Sequence, residues 1–309
     1  MRTLNPLQWM LILIVAVFLV VLSVSRRCAL SFARTTLLLG VATTVLMPFA
    51  WLACAAFKDP AILNEYTFLP PLTQLSRETI NLKNFASLLN EKQTIQGPVT
   101  FWRYFVNSLF VSSTGTFLSL VFCSMGGYAL AKHRFSVRSA LITFMLASMT
   151  IPGVVLLAPN FEVIWRLGWM DSYKALLIPG CVSAFGIFLF RQAMLEVPDD
   201  VIEAGRIDGC GEFRIYLNLV MPLVRPMSGA FCLISFLGNW NAFLGPNIFI
   251  QSQQKLTLPV VLNQYIGEYT QQYGVFLAGT LLVIVPPAVL FLALQREFIS
   301  GLTSGAVKQ

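Results

Sequence analysis

Charge is scarce in this sequence: 11% of its 309 residues are Asp, Glu, Lys or Arg, against roughly a quarter in an ordinary soluble domain. That shortage excludes a soluble globular protein of usual composition. Histidine is scarcer still, with His133 alone, and no cluster of acid, base and nucleophile surrounds it to make a membrane enzyme. A solvated loop position is the plain reading of His133. The G-x-x-x-x-G-K-[ST] phosphate loop is missing, so any ATP hydrolysis belongs to another chain. The six cysteines (Cys28, Cys54, Cys123, Cys181, Cys210, Cys232) show neither metal-ligand spacing nor a disulfide framework, and read as small apolar residues. The short alternating segments of a β-barrel are absent. The net charge of +7 is scattered over helix ends rather than gathered in a patch, which argues against nucleic acid as a partner.

What is present is apolar. Such residues make up 56% of the chain and come in blocks long enough to cross a bilayer, about 20 residues each as helix. Helices satisfy their own backbone hydrogen bonds in lipid, so the pattern predicts an all-α fold, a polytopic transmembrane helical bundle. Spans are expected at 8–24, 36–57, 105–131, 140–158, 174–195, 226–248 and 274–295. The connections at 25–35 (Arg26, Arg27, Arg34), 132–139 (Lys132, Arg134, Arg138) and 196–225 (Arg206, Arg214, Arg225), with the tail (Arg296, Lys308), are basic. The positive-inside rule puts these in the cytoplasm. Segments 58–104, 159–173 and 249–273 then fall outside, with the N-terminus outside and the C-terminus inside. Residues 8–24 are followed rather than preceded by their basic flank, so an extra anchoring helix is expected there instead of a signal peptide. The expected division is an N-terminal anchor and basic loop at 1–35 and a transmembrane domain at 36–309, with an extracytoplasmic loop at 58–104 and a cytoplasmic loop at 196–226. Gly126-Gly127, Pro152-Gly153, Pro179-Gly180 and Pro286-Pro287 fall inside predicted spans, where proline tends to kink a helix. Such positions allow close packing and rocking of helices; Pro and Gly are also simply commoner in membrane helices.

The cytoplasmic segment after residue 195 concentrates Asp199, Asp200, Glu203, Asp208 and Glu212, an acidic cluster that suggests a soluble partner. Pro198-Asp199-Asp200 reads as a helix start, with acidic residues complementing the positive end of the dipole. That helix runs through Asp208 and stops at Gly209 and Gly211. A second helix is expected from Glu212, with Phe213, Tyr216, Leu217 and Val220 forming one apolar stripe at i, i+3, i+4 and i+7. A helix–glycine–helix of this kind suits insertion into a groove on another protein. Glu203 has two readings: an ion pair with Arg206 on its own helix, or a contact with an arginine of a partner.

The run Glu203-Ala204-Gly205, two further residues, then Asp208-Gly209 and the exit at Pro222 resembles the EAA loop of ATP-binding-cassette importer permeases. Further matches follow in order: Asn107-Ser108-Leu109, Tyr128 to Phe135, Trp240-Asn241, Thr257-Leu258-Pro259, Gln295-Arg296 and Gly305 to Lys308. Over residues 36–309 the set is similar to the sugar-importer permeases typified by the second permease of the maltose transporter. The chain departs from that pattern at Gly205 and Cys210, where the family usually has alanine, and at Met221, where it has leucine. The resemblance implies a type I importer permease fold of six core helices, here with an extra N-terminal one, in the bacterial cytoplasmic (inner) membrane and surrounded by lipid. It implies as partners two ATP-binding-cassette subunits, a homologous sister permease and an extracytoplasmic sugar-binding protein. ATP and Mg2+ would be bound by the ATPase subunits, with no cofactor, metal or catalytic residue on this chain. Carried over residue by residue, Glu203, Ala204, Gly205, Asp208, Gly209, Phe213, Leu217 and Pro222 would couple to the ATPase, and the tail at Gly305 and Lys308 would touch it.

Trp240 and Asn241, with Phe243 and Asn247, are candidates for the translocation path, since aromatic faces and amides suit sugars; packing between helices is the competing reading. Two other function classes remain. An ion-gradient-driven secondary transporter calls for ionisable residues within the spans, which are nearly free of carboxylates. A non-transporting scaffold that recruits a cytoplasmic protein would use the same insert. A polyol-phosphate is the alternative cargo.

Overall fold

A computed structural model of the chain describes residues 26–94, 96–267 and 271–304. The expected first span at 8–24 lies outside these residues. The described part is helical except for a hairpin of two three-residue strands, β1 (Lys92–Thr94) and β2 (Gly97–Val99), paired antiparallel in the polar 58–104 segment. The chain divides by packing into two units, residues 1–81 and 82–309.

In the first unit, helix α1 runs from Arg26–Phe57 without a break, so the basic segment expected as a loop at 25–35 is helical from Arg26. Its 31 span-forming residues reach about 47 Å at 1.5 Å per residue, well beyond the ~30 Å hydrocarbon core. The basic turns therefore have room to project past the lipid. The polar segment folds back on the far end of α1. Asn81 N–H donates to the Phe57 carbonyl at 2.9 Å and Asp59 N–H to Thr79 at 3.0 Å. The fully buried Lys58 ammonium donates to the carbonyls of Tyr66 and Thr67, and its desolvation lowers the pKa.

The second unit begins with α2 (Lys83–Leu89), followed by the hairpin and by α3 (Phe101–Lys132). Next come α4 (Arg138–Ser148), α5 (Leu157–Arg166), α6 (Lys174–Leu177) and α7 (Ala184–Leu195). Then follow α8 (Asp199–Ile207), α9 (Glu212–Ile215), α10 (Met221–Leu223), α11 (Arg225–Trp240), α12 (Leu244–Phe249), α13 (Leu258–Gln264) and α14 (Tyr273–Ser304). Helix α3 packs along α7 and α11, and α11 packs along α14. Three of the six expected core spans are continuous, in α1, α3 and α14. The other three are interrupted. Between α4 and α5 the axis turns by 96°, because Pro152 removes a backbone donor and disfavours the helical region for Ile151. Pro179-Gly180 separates α6 from α7, which restarts when the Ser183 hydroxyl caps Gly186 N–H at 3.0 Å. The span expected at 226–248 breaks at Asn241–Phe243, since Pro246 cannot donate to the Ala242 carbonyl and would clash with it. Gly126-Gly127 and Pro286-Pro287, by contrast, sit within unbroken helices.

Two large apolar clusters among the described residues help hold the unit together. One gathers Leu88, Phe101, Tyr104, Phe236, Trp240, Leu258 and Val261. The other gathers Cys123, Phe190, Met194, Ile202, Ile215, Val220 and Phe231, which roots the 196–225 insert in the bundle. On the first cluster's side, the Asn107 amide donates to the Gln254 and Leu256 carbonyls at 2.9 and 3.0 Å, and the Ser108 hydroxyl accepts from Leu258 N–H at 2.7 Å. Asp171, at φ +55°, clasps the same segment. Its carboxylate accepts from Gln251 N–H (3.1 Å), Ser252 N–H (2.8 Å), the Ser252 hydroxyl and the Lys255 ammonium (2.9 Å). Burial pushes the Asp171 pKa up, but these hydrogen bonds outweigh it and hold the carboxyl well below its ordinary range. A carboxyl depressed on folding contributes stability that is present above the unfolded pKa of about 3.9 and is lost as pH falls through the folded value. Asp171→Asn should therefore lower the melting temperature above about pH 5, and the gap to the parent should narrow on acidification below about pH 4. A gap independent of pH in thermal melts of the purified protein would remove this role.

Candidate functional site

The insert is a helix, a glycine turn and a second, distorted helix. Helix α8 starts after Pro198, whose ψ of 138° is extended. Asp199 makes no capping bond; its carboxylate instead accepts from Lys132 Nζ at 2.6 Å, and the same ammonium donates to the Val197 carbonyl at 2.6 Å. The hydrogen bond and the charge of Lys132 hold the Asp199 pKa below the usual carboxylate value. Helix α8 ends where Gly209 takes φ +76°, letting Cys210 N–H reach back to the Gly205 carbonyl at 2.9 Å. Gly211, at φ −72°, is ordinary backbone before α9, so Gly209 alone makes the turn.

The second limb departs from the expected stripe. Between α9 and α10 the chain forms a π-helical turn at Tyr216–Val220, with Met221 N–H bonded to the Tyr216 carbonyl. Pro222 has no N–H for the Asn218 carbonyl, and the wider turn accommodates the mismatch. The stripe is thereby split. Tyr216 and Val220 are buried together with Ile215, which the 3.6-residue pattern left out, while Phe213 and Leu217 stay 64% and 52% exposed. Ile207 is exposed beside them in sequence at the end of α8. Gly205 is buried: a Cβ there would lie 2.8 Å from the Leu219 side chain and 3.2 Å from Ile215. The two limbs thus close on each other at Gly205, one of the two positions where the expected alanine is missing.

Charges in the insert fall into two sets. Asp199 and Glu212 face the bundle: Glu212 Oε1 accepts from Arg206 Nε at 2.8 Å and Oε2 from the Tyr128 hydroxyl at 3.1 Å, with His133 Nε2 at 3.7 Å. Because Arg206 turns to Glu212, the pairing of Glu203 with Arg206 does not form. The side chains of Asp200, Glu203 and Asp208 are exposed and make no hydrogen bond or ion pair among the described residues. Ala204 and Pro222 are exposed as well. Gly305 and Lys308 lie outside the described residues. Tyr128 and Lys132 are neighbours of the insert that reading the insert alone missed; their i, i+4 spacing on α3 was the available signal.

Of the path candidates, Trp240 is 1% exposed, stacked on Phe236 and donating its indole N–H to the Val283 carbonyl at 3.2 Å. It packs helices together. Asn241, in the break after α11, is exposed and lines a cleft of about 310 Å³ with Phe243, Asn263, Phe276 and Thr280 among its walls. None of the residues lining that cleft is charged.

These features define a multi-pass helical membrane protein with a partly exposed polar insert. Residues 123–296 match the family described as the binding-protein-dependent transport system inner membrane component. The chain is 34% identical over 275 residues to the arabinooligosaccharides transport system permease protein AraQ of Halalkalibacterium halodurans, covering 84% of this chain and 96% of the relative. It is 30% identical to the lactose transport system permease protein LacG of Rhizobium radiobacter (85% and 91% covered). Identity is 31% to the sn-glycerol-3-phosphate transport system permease protein UgpE of Salmonella typhimurium (90% and 97% covered). Its fold is similar to a chain in the crystal structure of a bacterial ABC transporter involved in the import of the acidic polysaccharide alginate, with TM-score 0.75, 22% identity, and 89% and 98% of the two chains covered. The chain belongs to the family of binding-protein-dependent transport system inner membrane components. It is a non-catalytic permease subunit of an ABC importer in the cytoplasmic membrane, working with an ATPase and a substrate-binding protein.

Proposed function

We propose that this permease imports a neutral sugar, as one of two homologous permeases above two ATP-binding-cassette subunits that bind ATP and Mg2+. Residues 36–309 form its transport domain, and the 196–226 loop is the joint to the ATPase. The observation that carries the reading is the unpaired, exposed Glu203 on a helix whose neighbouring limb also leaves Phe213 and Leu217 uncovered. A charge flanked by apolar side chains suits a groove with one arginine and greasy walls. Glu203 anchors the joint, Ala204 lets α8 approach closely, Gly205 closes it on the second limb, Gly209 makes its turn, Asp208 stays open to the partner and Pro222 sets the exit. The tail at Gly305 and Lys308 adds a second contact.

A neutral cargo is supported by relatives named for arabinooligosaccharides and lactose and by the uncharged cleft at Asn241, whose amides and aromatic faces suit hydroxyl-rich rings. A phosphate ester, as in the name of UgpE, would call for a cation there. The test is uptake into vesicles holding the co-expressed complex, with its binding protein outside and ATP within. Neutral oligosaccharides should be taken up in an ATP-dependent way; uptake confined to sn-glycerol 3-phosphate would overturn the cargo assignment.

A further inference from the structure

One stripe of α3 carries the bonds between its cytoplasmic end and the insert. Ser124, Tyr128 and Lys132 recur at i, i+4 and i+8, on one face of the helix. Ser124 shares a hydrogen bond with the Tyr216 hydroxyl at 2.7 Å, Tyr128 donates to Glu212 at 3.1 Å, and Lys132 holds Asp199 and the Val197 carbonyl at 2.6 Å each. The rings of Tyr128 and Tyr216 lie 5.5 Å apart, and His133 meets Tyr128 edge-on at 5.3 Å. Glu212 is the hub, since it also takes Arg206 from α8, one turn beyond Glu203.

The covalent route out of the insert is interrupted. It passes the π-helical turn at Tyr216–Val220 and then an 84° bend between Leu223 and Arg225 before α11 begins. A displacement of α8 meets two breaks in the regular helix on that route, whereas the side-chain bridges reach α3 directly. The charge-assisted bonds at Glu212 and Asp199 are the stronger members of the network.

We infer that Glu212 is a positioning residue for transport: through Arg206 and Tyr128 it transmits movement of the ATPase-facing helix α8 into the spanning helix α3. This rests on the reading of the insert as the ATPase joint. Glu212 faces α3 rather than the partner, so its loss separates attachment from transmission.

The experiment uses the intact complex, co-expressed and placed in lipid vesicles, for the parent, Glu212→Gln, Tyr128→Phe, their double variant and Glu203→Arg. Three quantities are read: ATPase recovered with the permease, hydrolysis without the binding protein, and the stimulation the binding protein gives. Glu212→Gln should keep ATPase recovery and unstimulated hydrolysis within about twofold, while stimulation falls by about tenfold, the scale of one charge-assisted hydrogen bond. Tyr128→Phe should produce a smaller fall, and the double variant should lose little beyond Glu212→Gln, as partners in one network do. Tyr128→Phe removes a single hydroxyl and carries the test should Glu212→Gln accumulate poorly. Undiminished stimulation in folded Glu212→Gln and Tyr128→Phe complexes, or strictly additive losses, would overturn the inference. The joint itself is judged separately: if Glu203→Arg still retains the ATPase, the underlying reading fails whatever Glu212 does.

Discussion

Replacing Glu203 with arginine should leave the protein in the membrane but strip it of its ATPase, and uptake should cease with it. The expectation follows from how little Glu203 does within the chain: it is exposed, makes no hydrogen bond or ion pair among the described residues, and its one candidate intrachain partner, Arg206, is held by Glu212. Removing it therefore costs the fold little. Placed against a partner arginine, the reversed charge changes an attraction into a repulsion in a desolvated groove. Losing one side of such a pair costs about 2–5 kcal/mol, at least about thirtyfold in affinity. Co-purification with the tagged permease would show the loss directly. An unchanged yield of ATPase would mean that Glu203 is a solvated surface residue.

The second large effect is on stability. Gly127 sits at a close approach of α3 and α7: a Cβ placed there would lie 2.5 Å from Phe190 Cβ and 2.8 Å from the Arg191 backbone nitrogen. Neither atom is the end of a flexible side chain, so Gly127→Ala must push α3 and α7 apart. Membrane helices rely on such small residues for close packing, and forcing atoms into a filled core costs roughly 1–3 kcal/mol or more. The adjacent Gly126 is the control. Its Cβ would meet the Ile187 side chain, nearest at 3.2 Å, which can move, so Gly126→Ala should be close to neutral. Thermal melts of the detergent-purified protein should show a large fall for Gly127→Ala and a small change for Gly126→Ala. Equal effects would mean that the α3–α7 contact yields more readily than the close approach implies.

Local chemistry made much of the site readable in the sequence. Pro198 opens α8, Gly209 turns it and Glu212 opens the next limb, because each of these depends on the backbone preference of a residue or its neighbour. The break at Pro152 was readable for the same reason. The second limb was not: a 3.6-residue period assumes a regular helix, and the π-helical turn ahead of Pro222 buries Ile215 and turns Phe213 and Leu217 outward. Nor did proline alone settle continuity, since Pro286-Pro287 stays inside α14 while Pro246 accompanies a break. The partners of Glu212 and Asp199 lie 84 and 67 residues away on α3, and pairings of that range arise from packing. The acidic cluster thus proved to be two groups, one tied to the bundle and one left open. The motifs at Asn107-Ser108 and Thr257-Leu258 were visible as separate marks; only the fold shows that the first pair holds the backbone around the second.

The claim that the insert is the joint is tested most directly by proximity in the intact transporter. A photo-crosslinking phenylalanine analogue at position 213, in the co-expressed complex in its native membrane, should on illumination give one major adduct between this permease and the ATPase. The same analogue at Tyr265, which is buried in the apolar cluster that does not hold the insert, should give none. If position 213 yields only adducts with lipid or within the chain while the complex stays assembled, the insert does not meet the ATPase, and the coupling account is contradicted.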